Sequence, residues 1–161
     1  MKIICCVLVM LLLTGCAGQQ VFEQLEDVYA SQAAPEPKKI GLSLPKDASS
    51  QVLAGSNGVL YFCEGYEIST ETMAAGNLGQ TILSLTGFQR DDLTLMETKQ
   101  DGAVRYECVW SSVNGEGQQV NRAVILDDGN YHYCVWVCAD AQDAGALRDT
   151  WQALLSSIVL S

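Results

Sequence analysis

Basic residues are scarce in this sequence: nine Lys plus Arg stand against nineteen Asp plus Glu, a formal charge of −10. Nucleic-acid binding needs clustered cations to neutralise phosphates, so this balance excludes it. The same acidity disfavours lying flat on an anionic leaflet and reads as a solubility feature of an exposed surface. Histidine is rarer still. His132 is the one histidine of the chain, so any Ser-His-Asp or Cys-His site would have to use it. No Cys-x-x-Cys converges metal ligands, and Gly76 and Gly79 come without the fingerprint or lysine of a phosphate loop. Asp127-Asp128-Gly129-Asn130 lacks the spaced ligands and closing Glu of a calcium loop, and hairpin chemistry accounts for it. The sequence therefore leads us to expect no catalytic set, no metal and no cofactor. Apolar runs long enough to span a membrane are missing too.

The longest apolar run, Ile3 to Leu13, follows the single charge of Lys2. Eleven helical residues reach about 16 Å at ~1.5 Å each, short of a membrane core of ~30 Å. A short run behind a basic start is a signal-peptide core. It ends in Leu13-Thr14-Gly15-Cys16, which resembles the lipobox of bacterial lipoproteins. That resemblance implies cleavage before Cys16, diacylation of its thiol, and a lipid-anchored protein facing outside the cytoplasm. Two acyl chains give stable anchoring where one is marginal. Loss of Lys2 with the leader takes the formal charge to −11.

The chain after the anchor divides at a linker. Residues 20 to 30 carry Val21, Leu25 and Val28 on one helical stripe, with Glu23, Glu26 and Asp27 opposite. Pro35 and Pro37 disfavour helix in the stretch that follows. The expected organisation is a leader over 1–15, a lipidated Cys with short helix and linker over 16–38, and one domain over 39–161.

Within the domain, strands are expected at Ile40 to Leu44, Val59 to Cys63, Tyr66 to Thr72 and Asp92 to Thr98. Leu78, Ile82 and Leu85 recur at helical spacing, with Gly87 as a terminating cap. Three further strands follow, with turns that set a register. Asp128-Gly129 as a two-residue hairpin turn would place Leu126 opposite Tyr131, Ile125 opposite His132 and Val124 opposite Tyr133. Asn114-Gly115 would place Trp110 opposite Gln119 and Glu107 opposite Arg122, an opposite-charge match.

One face then carries Val104, Tyr106, Cys108, Trp110, Ala123, Ile125, His132, Cys134, Trp136 and Cys138. The other carries Arg105 and Glu107, then Val120, Val124, Leu126, Tyr131, Tyr133, Val135 and Val137. A sheet apolar on both faces must be covered on both. Leu147, Trp151, Leu154, Leu155 and Ile158 form the stripe of one covering helix, with Asp140 or Asp143 as its N-cap; the helix at 77–86 is the other. The expected fold class is α+β, an antiparallel sheet covered by helices on both faces in a three-layer α/β/α sandwich.

Short strands, a middle helix, a long meander and a final amphipathic helix ending in Ser-Ser-Ile-Val-Leu (156–160) resemble the PsbP-like fold, which lipoproteins related to DcrB also use. The resemblance covers roughly residues 38 to 161 and implies a non-catalytic accessory or binding role in the envelope.

The four domain cysteines read best as buried free thiols. Cys134 and Cys138 would lie about 13 Å apart along one strand, and Cys108 and Cys134 nearly 10 Å apart across two intervals, both too far to bond. At most one bridge, through Cys63, stays open. His132, Cys134 and Cys138 share a face but spread along a strand, which disfavours a metal.

Three functions compete. The leading one is an anchored module for an envelope protein partner, with Tyr61, Phe62 and Tyr66 as weak contact candidates and an exposed apolar patch expected. The second is small-ligand capture in a void lined by Tyr106, Trp110, Trp136 and Trp151. The third is a hydrolase, which requires an accessible His132 beside a nucleophile.

Overall fold

The computed structural model describes residues 35–53, 57–115 and 117–161, and Glu36–Ser161 form one compact unit. The leader, Cys16, the helix expected at 20–30 and most of the linker lie outside the described residues.

The unit is α+β, with a seven-stranded antiparallel sheet and two helices. In chain order the strands are β1 (Ile40–Gly41), β2 (Ser49–Val52), β3 (Gly58–Cys63), β4 (Tyr66–Ala74), β5 (Met96–Gln100), β6 (Ala103–Asn114), β7 (Gly117–Asp127), β8 (Tyr131–Asp140) and β9 (Val159–Leu160). Helix α1 (Leu78–Thr86) follows β4, and α2 (Arg148–Ser156) follows β8. The sheet order is β2-β3-β4-β8-β7-β6-β5, while β1 pairs separately with β9.

Alternation along β6, β7 and β8 sorts the core into two sets, because directly paired residues share a face. Val124, Val135 and Thr70 are mutually paired across β7, β8 and β4, and the row continues to Glu107 and Met96. Here Val124, Leu126, Val135 and Val137 pack with Trp151, Leu154, Leu155 and Ile158 from α2 and the residues after it. Full burial of such side chains contributes roughly 1.5–3 kcal/mol each. On the alternate positions Ile125 and Cys134 pack with Ile82 of α1. Cys108, Trp110 and Ala123 pack with Leu93 and Leu95.

Both hairpin registers differ from expectation by two residues. Leu126 pairs with Tyr133 and Asp127 with His132, so Gly129-Asn130 is the turn, not Asp128-Gly129. The reason is local hydrogen bonding. Asp127 accepts from the Gly129 N–H at 2.8 Å, and Asp128 accepts from Asn130 and Tyr131 at 3.0 and 2.9 Å. Gly129 takes φ +90°, the positive first position of a type II′ turn. Likewise Trp110 pairs with Asn121 and Glu107 with Val124. Glu107 therefore meets Arg122 diagonally, at 3.0 Å. A shift of two leaves every side chain on its expected face, whereas a shift of one would have reversed them all.

Other expectations need correction. β2 occupies what read as a polar loop; all four of its residues are exposed, so no alternation marks it. The strand expected at Asp92 to Thr98 begins only at Met96, after a 3-10 turn at Arg90–Asp92. The strand expected at Ile40 to Leu44 is limited to two residues. Asp140 and Asp143 do not cap α2. Their carbonyls accept from Asp143, Ala144, Ala146 and Leu147 in successive turns that lead into it. The last helix stops at Ser156, and Val159–Leu160 turn back as a strand. In α1, Asn77 caps the start and Gly87, at φ +78°, the end, the latter as expected.

A charged network fixes α2 to the sheet. Arg105 is only 7% exposed. Its guanidinium donates to Glu107 at 2.9 Å, Gln100 at 2.8 Å and the Leu155 carbonyl at 3.1 Å. Arg122 completes the set, donating to Glu107 at 3.0 Å and Gln152 at 2.7 Å. Burial pushes the Glu107 carboxyl up, but hydrogen bonds and charge from Arg105 and Arg122 outweigh it and hold the group below its ordinary 4.5. Asp128 is likewise held below 3.8: burial opposes, while Asn130, Tyr131, Tyr133 and Lys38 prevail.

Two expectations follow. Arg105→Met leaves Glu107 to Arg122 alone and takes the donor from the buried Leu155 carbonyl, and should cost about 1–3 kcal/mol in urea unfolding. A depressed folded pKa gives stability that is full above the unfolded value and lost as pH falls through the folded one. The urea midpoint should therefore drop on acidification below about pH 4.5, and Glu107→Gln should flatten that drop.

Candidate functional site

The sheet is complete at one flank of β6 and incomplete at the other. β7 pairs with it from Val104 to Asn114, whereas β5 pairs only from Ala103 to Glu107. Leu93 and Leu95, just before β5, turn onto the face that holds Cys108 and Trp110 instead of continuing the ladder. Among the described residues, no strand pairs with Cys108 to Val113 on the flank of β6 away from β7. Proline and charge commonly protect such edges, and Cys108-Val109-Trp110-Ser111-Ser112-Val113 carries neither.

A groove of about 670 Å³ opens beside this edge. Its floor is the face on which α2 packs: Glu107 and Val109 of β6, and Val120 and Arg122 of β7. Its far wall is Ala141, Ala144 and Gly145 in the turns before α2, then Arg148 and Trp151. Thr94 and Met96 close the end where β5 leaves β6. Met96 and Val109, which line the groove, are 53% and 57% exposed, and Val113, four positions farther along β6 on the same face, is 83% exposed. Arg122 is engaged by Glu107 and Gln152, while Arg148 is exposed and makes no ion pair among the described residues. The groove therefore offers apolar surface, unpaired backbone groups and a cation.

The residues singled out from sequence lie elsewhere. Tyr61 and Phe62 are neighbours on β3 and so point to opposite faces; Tyr61 packs on the core and Phe62 is 39% exposed. Tyr66 is buried, and its hydroxyl makes no hydrogen bond to oxygen or nitrogen. Burial, then the adjacent Cys63, pushes that phenol up to about 12. Tyr66 and Phe62 both border a smaller, more polar depression of about 300 Å³. The four aromatics expected to line one void are divided: Trp151 sits in the α2 cluster, and Tyr106, Trp110 and Trp136 pack on the α1 side. The groove was missed because it depends on β5 beginning only at Met96, which no periodicity reports.

His132 is 1% exposed. Its Nδ1 lies 2.7 Å from the Thr81 hydroxyl of α1, and its Nε2 lies 3.6 Å from Asp127. A hydroxyl, an imidazole and a carboxylate thus meet, but no substrate can reach the ring. The contact ties α1 to β8. The four cysteines among the described residues, Cys63, Cys108, Cys134 and Cys138, are free thiols. Burial pushes Cys134 up to about 12 and Cys108 to about 11, which keeps both protonated and unreactive. No group of three or more His, Cys, Asp or Glu among the described residues is arranged to hold a metal ion.

No family profile matches the sequence, and no curated protein matches it in sequence. Solved structures do resemble the fold. Cyanobacterial PsbP (CyanoP) from Synechocystis superposes with a TM-score of 0.55 at 9% identity, covering 81% of this chain and 98% of that one. LpqN, involved in cell envelope biogenesis of Mycobacterium tuberculosis, gives 0.50 at 10% identity, with 78% and 86% covered. A Bacteroides thetaiotaomicron protein gives 0.53 at 10% identity over 76% of this chain; the chain spans only 45% of that protein's length. At such identities the likeness establishes a PsbP-like fold and nothing of activity.

Thiol titration at pH 8 should label Cys108 and Cys134 only after urea is added. Rapid native labelling of both would contradict their enclosure. Thr81→Val, which deprives the His132 ring of its partner, should cost about 1–3 kcal/mol in urea unfolding.

Proposed function

We propose that the chain is a lipoprotein of the cell envelope, held to a membrane by lipid on Cys16 and facing outside the cytoplasm. Its domain, read as a three-layer sandwich with α1 and α2 on opposite faces, serves as a non-catalytic accessory module that binds a partner protein through the β6 groove. The observation that carries this reading is the exposed Met96 and Val109 of the groove, with Val113 farther along the same strand, beside an edge that β5 leaves uncovered. Solvent-exposed apolar side chains grouped at one edge mark interaction surfaces more often than side chains scattered singly.

Further support comes from three directions. Leu13-Thr14-Gly15-Cys16 suits a lipid anchor, and no helix among the described residues is long and apolar enough to cross a membrane. LpqN, which shares the fold, works in envelope biogenesis. The enclosure of His132 argues against hydrolysis at that residue. A small ligand in the same groove is the second reading, favoured by a volume within the ~300–1,000 Å³ typical of ligand pockets.

The test uses native membranes. Cells fed alkyne-tagged palmitate should label the wild-type chain and not Cys16→Ser. A photo-crosslinking residue at Val109 should yield one recurrent protein adduct, and the same residue at Val52 on the opposite sheet edge should not. Equal labelling of both chains would sink the anchor. Absence of any Val109 adduct would sink the partner and turn attention to a ligand.

A further inference from the structure

We infer that the partner at the β6 edge is a second copy of this chain, added as an antiparallel strand about a two-fold axis through Ser111. This names the partner of the reading above and rests on it. Backbone direction decides which groups are open. Asn114 and Gly117 close a two-residue turn, so they bond each other and the Asn114 backbone is turned toward β7. Direction alternates along an antiparallel strand, so Cys108, Trp110 and Ser112 also turn toward β7. Val109, Ser111 and Val113 turn their N–H and C=O groups to the other flank. Both neighbouring pairings agree. Ala141 donates to the Gln118 carbonyl, which turns Gln118 toward β8 and leaves Gln119 to bond Ser112. Gln100 and Ala103 close a two-residue turn of their own, so Ala103, Arg105 and Glu107 turn toward β5, in step with Val109.

One register lets all three open residues bond a second copy. Directly opposed residues share a face, so a two-fold axis must pass through a residue. An axis through Trp110 drives the second copy's Val113 into the place beside Glu107 that Met96 holds. An axis through Ser112 carries the second copy's turn against Val109 and leaves that residue unbonded. An axis through Ser111 sets Val109 against the second copy's Val113, Ser111 against Ser111 and Val113 against Val109. The second copy then reaches Cys108 with its Asn114 and turns off one residue short of Met96. Side chains agree with that register, because it covers the exposed Val109 and Val113 with each other. Cys108 to Val113 carry no charge, so two acidic chains meet along a neutral strip. The same edge is used on both copies, so assembly closes at two.

The experiment introduces cysteines into the full-length chain and oxidises native membranes mildly. Hydrogen-bonded cross-strand partners lie ~5.5 Å apart at Cα, within disulfide reach. Ser111→Cys should therefore cross-link to its counterpart, raising the dimer band on a non-reducing gel about tenfold over the wild-type chain. Val109→Cys and Val113→Cys should each stay at the wild-type level, because each lies about 13 Å along the strand from its own counterpart. The double variant should cross-link as strongly as Ser111→Cys. Val52→Cys, on the opposite sheet edge, should not cross-link. Val113→Lys added to Ser111→Cys should cut the dimer band about tenfold by placing charge on the edge. A monomeric Ser111→Cys, cross-linking of Val109→Cys alone, or indifference to Val113→Lys would each overturn the proposal. The Val109 photo-adduct separates the two levels. An adduct of twice the chain's mass supports the second copy. An adduct with a different protein overturns it and leaves the partner reading intact.

Discussion

A buried guanidinium sets the geometry on which the rest of this domain depends. Arg105 is enclosed by the helix it holds, and it binds a carbonyl of α2, a side chain of β5 and a carboxylate of its own strand. Taking such a group out of water costs several kcal/mol unless every donor finds an acceptor. The requirement works in both directions. α2 must lie where its Leu155 carbonyl can accept, and β5 must bring Gln100 alongside. Arg122 then joins the same carboxylate to Gln152, one turn earlier on the helix. The position of α2 relative to β6 and β7 follows, and with it the width of the groove between them.

That arrangement also explains why the groove is open. α2 is preceded by irregular turns whose residues from Ala141 to Ala146 are small or polar, not by another helical turn of large apolar ones. Ala141, Ala144 and Gly145 cannot fill the space over Val109 and Val120. Small side chains at the wall and a short fifth strand at the end leave a cleft in an otherwise packed layer. The opposite sheet face shows the contrast: there Leu85, Leu93 and Leu95 lie over Cys108, Trp110 and Ala123 and close it.

Much of the architecture was legible in the residues because period-two alternation is strong along β6, β7 and β8. Cys134, Val135 and Val137 each lie on the face that alternation assigns, since an error of two in register does not exchange faces. The register itself was not legible. It hung on whether Asp127 and Asp128 would recruit backbone N–H groups and move the turn onward by one residue. β2 was invisible because fully exposed strands have no pattern to display. The candidate site was harder still. Tyr61, Phe62 and Tyr66 stood out as aromatics, yet one is core, one is half-enclosed and one stands apart on the other face. The groove is defined by an absence, the missing continuation of β5, and a sequence marks what pairs more clearly than what fails to.

The pairing of β1 with β9 has a mechanical consequence. Lys39 and Ser161 exchange backbone hydrogen bonds at 2.7 and 3.1 Å. The adjacent Lys38 is pinned by the Tyr133 hydroxyl at 3.0 Å and by Asp128 at 3.6 Å. The chain entering the domain at Glu36 thus meets Lys38, held at the β7–β8 turn, and the β1–β9 pair before it reaches any strand of the main sheet.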